Sequence, residues 1–274
     1  MVIKRFIIVG FLMLPFGCKE KMMDPLNTSY QRLQAVPQQK WDSLAQKKIY
    51  FGHHSVGQNI IEGLEKVFQS SPSIRLDIRE TANPGDLDGP VFAHSRIGRN
   101  RDPKGKIDHF RQLLENGIGQ TVDIAFFKLC FVDVDQATDI EGLIAYYDKT
   151  LADLSGKFPN LVIIPVTVPL TNVSPRIKAK IKRLLGRGPA LKADNIKRNI
   201  INDHIRNKYG AAIWDLADAE ATTAEGKKAT FQDSRRTFFL LNKAFTSDGG
   251  HLNTIGSQVV AIDLLLRLAS LDPD

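Results

Sequence analysis

A chain of 274 residues, 43% hydrophobic and 24% charged, has the composition of an ordinary globular protein able to bury a sizeable core. Its two cysteines, Cys18 and Cys130, exclude a disulfide framework if the first carries lipid. The formal charge of +7 is local: residues 175–208 hold eleven Lys or Arg against Asp194 and Asp203. That stretch lacks interleaved aromatics, which argues against nucleic acid and for a solvated helix face or a contact with anionic lipid or acidic polysaccharide.

Residues 1–17, MVIKRFIIVGFLMLPFG, carry basic Lys4 and Arg5, then an apolar run, then Gly17 before Cys18. This is a secretory signal of the lipoprotein type, too short for a spanning helix, in which Cys18 is acylated. Simple cleavage and a retained anchor are the alternatives. The expected location is a bacterial cell envelope. Residues 18–44 read as a tether with a lead-in helix around Pro37 to Ala45, and residues 45–274 as a single domain.

Lys48 to Phe51 reads as a strand, broken at Gly52 and followed by a helix with Val56, Ile60, Ile61, Leu64, Val67 and Phe68 at helical spacing. Ile74 to Ile78 alternates as a second strand. Residues 80–106, rich in Gly, Pro, Asp and Asn, read as one long loop, a length that is usually functional. Residues 107–117 read as helix and Val122 to Phe131 as a central apolar strand. A helix over 139–156 and a strand over Leu161 to Val168 follow. The helix around Ile196 to Ile205 has Asp194 as its N-cap and Gly210 past its end, and Ala211 to Leu216 is the fifth strand. Strands alternating with helices predict a parallel sheet covered on both faces, an α/β sandwich.

A strand turning sharply into a helix exposes its turn residues at the carboxyl edge of the sheet, beside the helix's unpaired N–H groups. Ser55 occupies that turn and is the candidate nucleophile; the alternative is a silent N-cap. In FTSDGGHLNTIG, residues 245–256, two glycines let Asp248 fold back on His251 and fix its tautomer. His53, His54, Asp248 and His251 together suggest a metal, but adjacent histidines on an extended chain point to opposite sides, so no metal is expected. His53 and His54 are pocket candidates, and the extra residue at this turn leaves open whether His54 or Ser55 fills the nucleophile's place. Arg96, Arg99 and Arg101 are candidates for an acidic group on the substrate, or ordinary solvated arginines.

Ser55 after the first strand, with DGGHLNTIG before the last helix, resembles the SGNH (GDSL-like) hydrolases over roughly residues 46–270. The resemblance implies a three-layer, flavodoxin-like α/β/α sandwich of about five strands, a Ser55/His251/Asp248 triad, and no cofactor. It implies an oxyanion hole from the N–H groups of Ser55 and Gly98, with Gly85 and Gly89 competing for the second position. The family's Gly-x-Asn-Asp is missing: KLCFVDVD, residues 128–135, has no asparagine. Lys128, Asn172 or a backbone amide could substitute. The expected activity is hydrolysis of an ester such as an O-acetyl group on a glycan, by a monomer. A non-catalytic polysaccharide-binding protein and an O-acyltransferase are the rivals.

Overall fold

The computed structural model describes residues 24–172 and 191–271. The leader, Cys18 and residues 175–190 of the basic run lie outside the described residues. Among the described residues no helix is long and apolar enough to cross a membrane.

Five parallel strands form the central sheet: β1 (Lys48–His53), β2 (Ile78–Glu80), β3 (Val91–Arg96), β4 (Ile124–Phe127) and β5 (Val162–Ile164), in the order β2-β3-β1-β4-β5. Beyond β5, Val166 bridges Trp214 in parallel. Side chains alternate between two buried faces, as a doubly covered parallel sheet requires. Ile49, Phe51, Phe92 and Phe126 enter one core with helices α1 (Pro25–Gln34), α2 (Gln38–Leu44), α3 (Val56–Ser70) and α9 (Thr254–Ala269). Tyr50, Ala93, Ala125 and Phe127 enter the other with α4 (Pro103–Leu113), α6 (Ile140–Lys157) and α7 (Leu191–Tyr209). Along the chain a single turn, α5 (Gly119–Thr121), follows α4, α8 (Leu216–Ala221) joins the first core, and a hairpin of β6 (Thr230–Asp233) and β7 (Arg236–Phe239) precedes α9. The three-layer α/β/α sandwich and its strand count are as expected from the sequence.

The membership of the sheet differs. The segment read as one loop contains β3, which pairs with β1 along its whole length, from Lys48↔Val91 to His53↔Arg96. The second strand lies at Ile78–Glu80 rather than over 74–78, and it is an edge strand. The fifth expected strand shrinks to the bridge at Trp214, because Gly210, at φ +52°, opens a 3₁₀ turn over Gly210–Ala212. With β2 set aside as an added edge, β3, β1, β4, β5 and Trp214 follow the 2-1-3-4-5 flavodoxin-like order.

Part of the expected tether is helix α1, which Asp24 caps by accepting from the Leu26 N–H. Pro25 stands at its first position, where proline's missing N–H costs nothing. The Tyr30 hydroxyl donates to Gln258 on α9 and Leu33 is buried, so this segment belongs to the domain. Asp194 lies inside the first turn of α7 rather than at its cap, and its carboxylate accepts from the Gln136 N–H.

Candidate active site

Central strand β1 delivers its last residues to the carboxyl edge of the sheet. Ser55 follows at φ 50°, ψ −103°, a left-handed conformation disfavoured for any residue with a Cβ, and α3 begins at Val56. The turn closes so tightly that a Cβ on Gly57 would lie 2.3 Å from the Cβ of His53. The Ser55 side chain makes no capping bond to α3, which sets aside the silent N-cap. Among the described residues the N–H groups of Ser55 and Val56 have no acceptor, while the His54 and Ser55 carbonyls are taken by Gly57 and Gln58. Ser55 therefore presents its hydroxyl beside unpaired donors at the start of a 15-residue helix.

The loop before α9 meets it. His251 Nε2 lies 2.5 Å from Ser55 Oγ, and His251 Nδ1 lies 2.7 Å from Asp248 Oδ2. Asp248 Oδ1 accepts from the N–H groups of His251, at 2.8 Å, and Gly250, at 2.9 Å. Partial burial pushes the Asp248 carboxyl up, but those N–H groups and the imidazole outweigh it and hold it down at about 2. A carboxylate on Nδ1 assigns the proton there and leaves Nε2 to accept from the serine hydroxyl. Asn253 caps α9 through Ile255 and Gly256, and Asn172 donates its N–H to the Gly249 carbonyl, so the loop is held at both ends. The ring of Phe131 packs edge-on against His251, with ring centroids 5.4 Å apart.

Ser55, and not His54, stands against His251. The two histidines diverge, as the extended backbone requires. His53 is buried, with Nε2 3.0 Å from His94 Nδ1; burial, then the Lys128 charge, lowers its pKa to about 2. The neighbouring His54 Nε2 lies 3.1 Å from the Gly98 carbonyl, which only accepts, so that nitrogen carries the proton. Among the described residues no group of three His, Cys, Asp or Glu could hold a metal ion.

The oxyanion expectations are corrected. Gly98, at φ +55°, donates its N–H to His109 Nδ1 at 2.8 Å, so it is not a free donor. Lys128 is fully buried, its ammonium 3.4 Å from the Leu129 carbonyl and the Cys130 sulfur. The Asn172 carboxamide donates to the Leu241 carbonyl. A different group stands open in the same loop as Gly98. Asn100 Oδ1 accepts from Lys106 Nζ at 2.9 Å, which turns its exposed amide nitrogen outward without an acceptor among the described residues. Lys106 is itself fixed by a fully buried ion pair with Asp133 at 2.6 Å. Asp133 also accepts from the Cys130 and Arg101 N–H groups, tying the loop after β4 to the loop after β3. The N–H of Arg99 is likewise without an acceptor. The sequence reading passed over Asn100, Phe131 and the Lys106–Asp133 pair; the one signal for Asn100 was a carboxamide in a long loop.

No family model matches the chain and no curated protein matches it. Among solved structures it is similar to a protein from Streptococcus pneumonia described as a platelet activating factor. The identity is 15%, the coverage 87% of this chain and 92% of that one, and the TM-score 0.47. It is also similar to the periplasmic domain of a lipopolysaccharide acetyltransferase from Salmonella ser. Paratyphi A. There the identity is 15%, the coverage 86% and 94%, and the TM-score 0.44. At that distance neither match carries the chemistry of this chain, which rests on its own side-chain geometry.

Proposed function

We propose that this chain is a serine ester hydrolase of the SGNH type. One observation carries the reading: a strained serine at a strand-to-helix turn, hydrogen-bonded to a histidine whose far nitrogen is held by a carboxylate. Ser55 Oγ attacks the acyl carbon as its proton passes to His251 Nε2. Asp248 holds the imidazole and stabilises the imidazolium. The negative charge gathering on the carbonyl oxygen is met by the Ser55 N–H, with the Asn100 carboxamide as a further donor. Collapse breaks the bond to the alcohol oxygen, which takes the proton from Nε2. Water then repeats the sequence on the acyl-enzyme and frees the acid and Ser55.

A short acyl ester on a glycan is the substrate class in view, and the leader with Cys18 supports an exported, lipid-anchored protein. The test is labelling of residues 19–274 with a fluorophosphonate and mapping of the adduct. An adduct on Ser55 that disappears in Ser55→Ala and His251→Ala is expected. A folded protein that takes no label sinks the hydrolase and transfers the fold to the ligand-binding rival. Product analysis with water and sugar acceptors separates hydrolysis from acyl transfer.

A further inference from the structure

The segment Arg96-Ile97-Gly98-Arg99-Asn100-Arg101 carries three arginines and no carboxylate. It leaves the carboxyl end of β3 directly beside the serine turn: Arg96 is the register partner of His53, and the Gly98 carbonyl is bonded by His54, the residue before Ser55. All three arginines are exposed, and among the described residues none of their guanidinium groups has a carboxylate partner.

Among the described residues Glu80, opposite His94 on the neighbouring strand, makes no ion pair with any of these arginines, and three further carboxylates are committed elsewhere. Asp102 caps α4 through the Gly105 N–H, Asp133 is buried against Lys106, and Asp248 holds His251. Beyond the larger effects of burial and of the Lys128 charge, the charge on Arg96 also disfavours protonation of the His53 and His54 imidazoles. The loop is also fixed rather than loose. Arg101 sits at φ 70°, a strained value for a residue with a Cβ, and its N–H is held at 2.7 Å by the carboxylate of the buried Lys106–Asp133 pair. Ile97 is fully buried between the flanking arginines. Unneutralised guanidinium groups carried by a fixed backbone beside a site attract and orient carboxylates, phosphates and sulfates through their fork of donors.

We propose that Arg96, Arg99 and Arg101 form an anion subsite, and that the ester cleaved at Ser55 is carried by a negatively charged molecule, such as an acylated acidic sugar. This rests on the serine hydrolase reading and adds its substrate class. An anionic carrier docks on the guanidinium groups and holds its acyl carbonyl at Ser55; a neutral carrier of the same shape lacks that anchor.

The experiment compares two near-isosteric esters, 4-acetoxybenzoate, which is anionic, and 4-acetoxybenzamide, which is neutral, each corrected for its hydroxide-catalysed rate. The kcat/KM ratio is expected to favour the anion by about tenfold or more at low ionic strength and to shrink as salt screens the guanidinium groups. In Arg96→Gln/Arg99→Gln/Arg101→Gln it falls to about one, while the neutral ester is cleaved at its former rate. A ratio near one in the unaltered chain, or one that survives the triple substitution, overturns the subsite. Calorimetric binding of an oligogalacturonate and of a neutral malto-oligosaccharide to Ser55→Ala keeps the two failures apart. Preferential binding of the acid, lost in the triple variant, without hydrolysis of either ester sinks the serine chemistry and sustains the subsite. No preference for the acid in either assay sinks the subsite alone.

Discussion

At the scale of the residue, Ser55, Asp248 and His251 have distinguishable parts, and substitution separates them. Ser55→Ala and His251→Ala are expected to reduce ester hydrolysis to background. Asp248→Asn keeps the side-chain volume but offers an amide to Nδ1, which can hold the wrong tautomer, so a loss of roughly 10³–10⁴ in kcat is expected. Steady-state kinetics on an aryl ester read both, and an Asp248→Asn chain with unchanged kcat would show that the imidazole is oriented by other means. Asn100→Ala tests the open carboxamide. A donor used only in the transition state lowers kcat by about 10²-fold or more with KM unchanged, whereas a merely structural asparagine would move the melting temperature and leave kcat alone. The triad was legible in the sequence because each of its parts has a local signature: a serine between strand and helix, and a carboxylate and imidazole joined by two glycines. Gly98 was misread because the direction of an N–H depends on what faces it, here His109 in the second turn of α4.

At the scale of the element, the site depends on how closely α3 and α9 approach, since one follows Ser55 and the other follows His251. Gly63 sets that approach: a Cβ there would lie 2.2 Å from the Ser257 carbonyl oxygen, so the backbones must part to admit one. Gly63→Ala is expected to destabilise by about 1–3 kcal/mol and to lower kcat, because the hydrogen bond from Ser55 joins the segments that lead into the two helices. Gly89→Ala, where nothing lies within 4 Å, is the control and should change neither. Thermal unfolding and aryl-ester kinetics on both variants decide it; a Gly63→Ala chain as active as the parent would mean that the loop before α9 positions His251 without the helix.

Elements were legible where the apolar period was long, as in α3 and α6, and illegible where it was short. β3 buries Val91, Phe92, Ala93 and His94, but a run of four after Gly89-Pro90 carries too little pattern to separate from loop. It becomes a strand because β1 offers it a full ladder. Helix α1 was missed because a polar stretch with prolines reads as a tether, whereas Pro25 serves there as a helix start.

At the scale of the whole molecule, the core behind the sheet edge holds ionisable groups whose protonation couples folding to pH. Glu220 on α8 is fully buried; one carboxyl oxygen accepts from the Leu170 N–H at 2.7 Å and the other has no partner. Burial raises its pKa to about 8, against the opposing pull of that N–H and of Lys128 and Arg198. Burial has the reverse effect on His53, His54 and His94, all held below the ordinary 6.5. The signs of the two sets are opposite. Below about 6.5 the unfolded chain binds protons that the folded histidines refuse, so stability rises with pH as that difference disappears. Above it the unfolded chain has already released the proton that folded Glu220 keeps, so stability falls, by about 1.4 kcal/mol per pH unit, until Glu220 ionises in place near 8. Urea unfolding should therefore give greatest stability near pH 6.5 and a decline of about 2 kcal/mol by pH 8. Glu220→Gln keeps the shape and removes the ionisation, so its stability should stay level over that upper interval while keeping the rise below it. An upper limb that declines equally in both chains would assign the proton to another group and leave Glu220 ionised within the fold, paired with the buried cations around it.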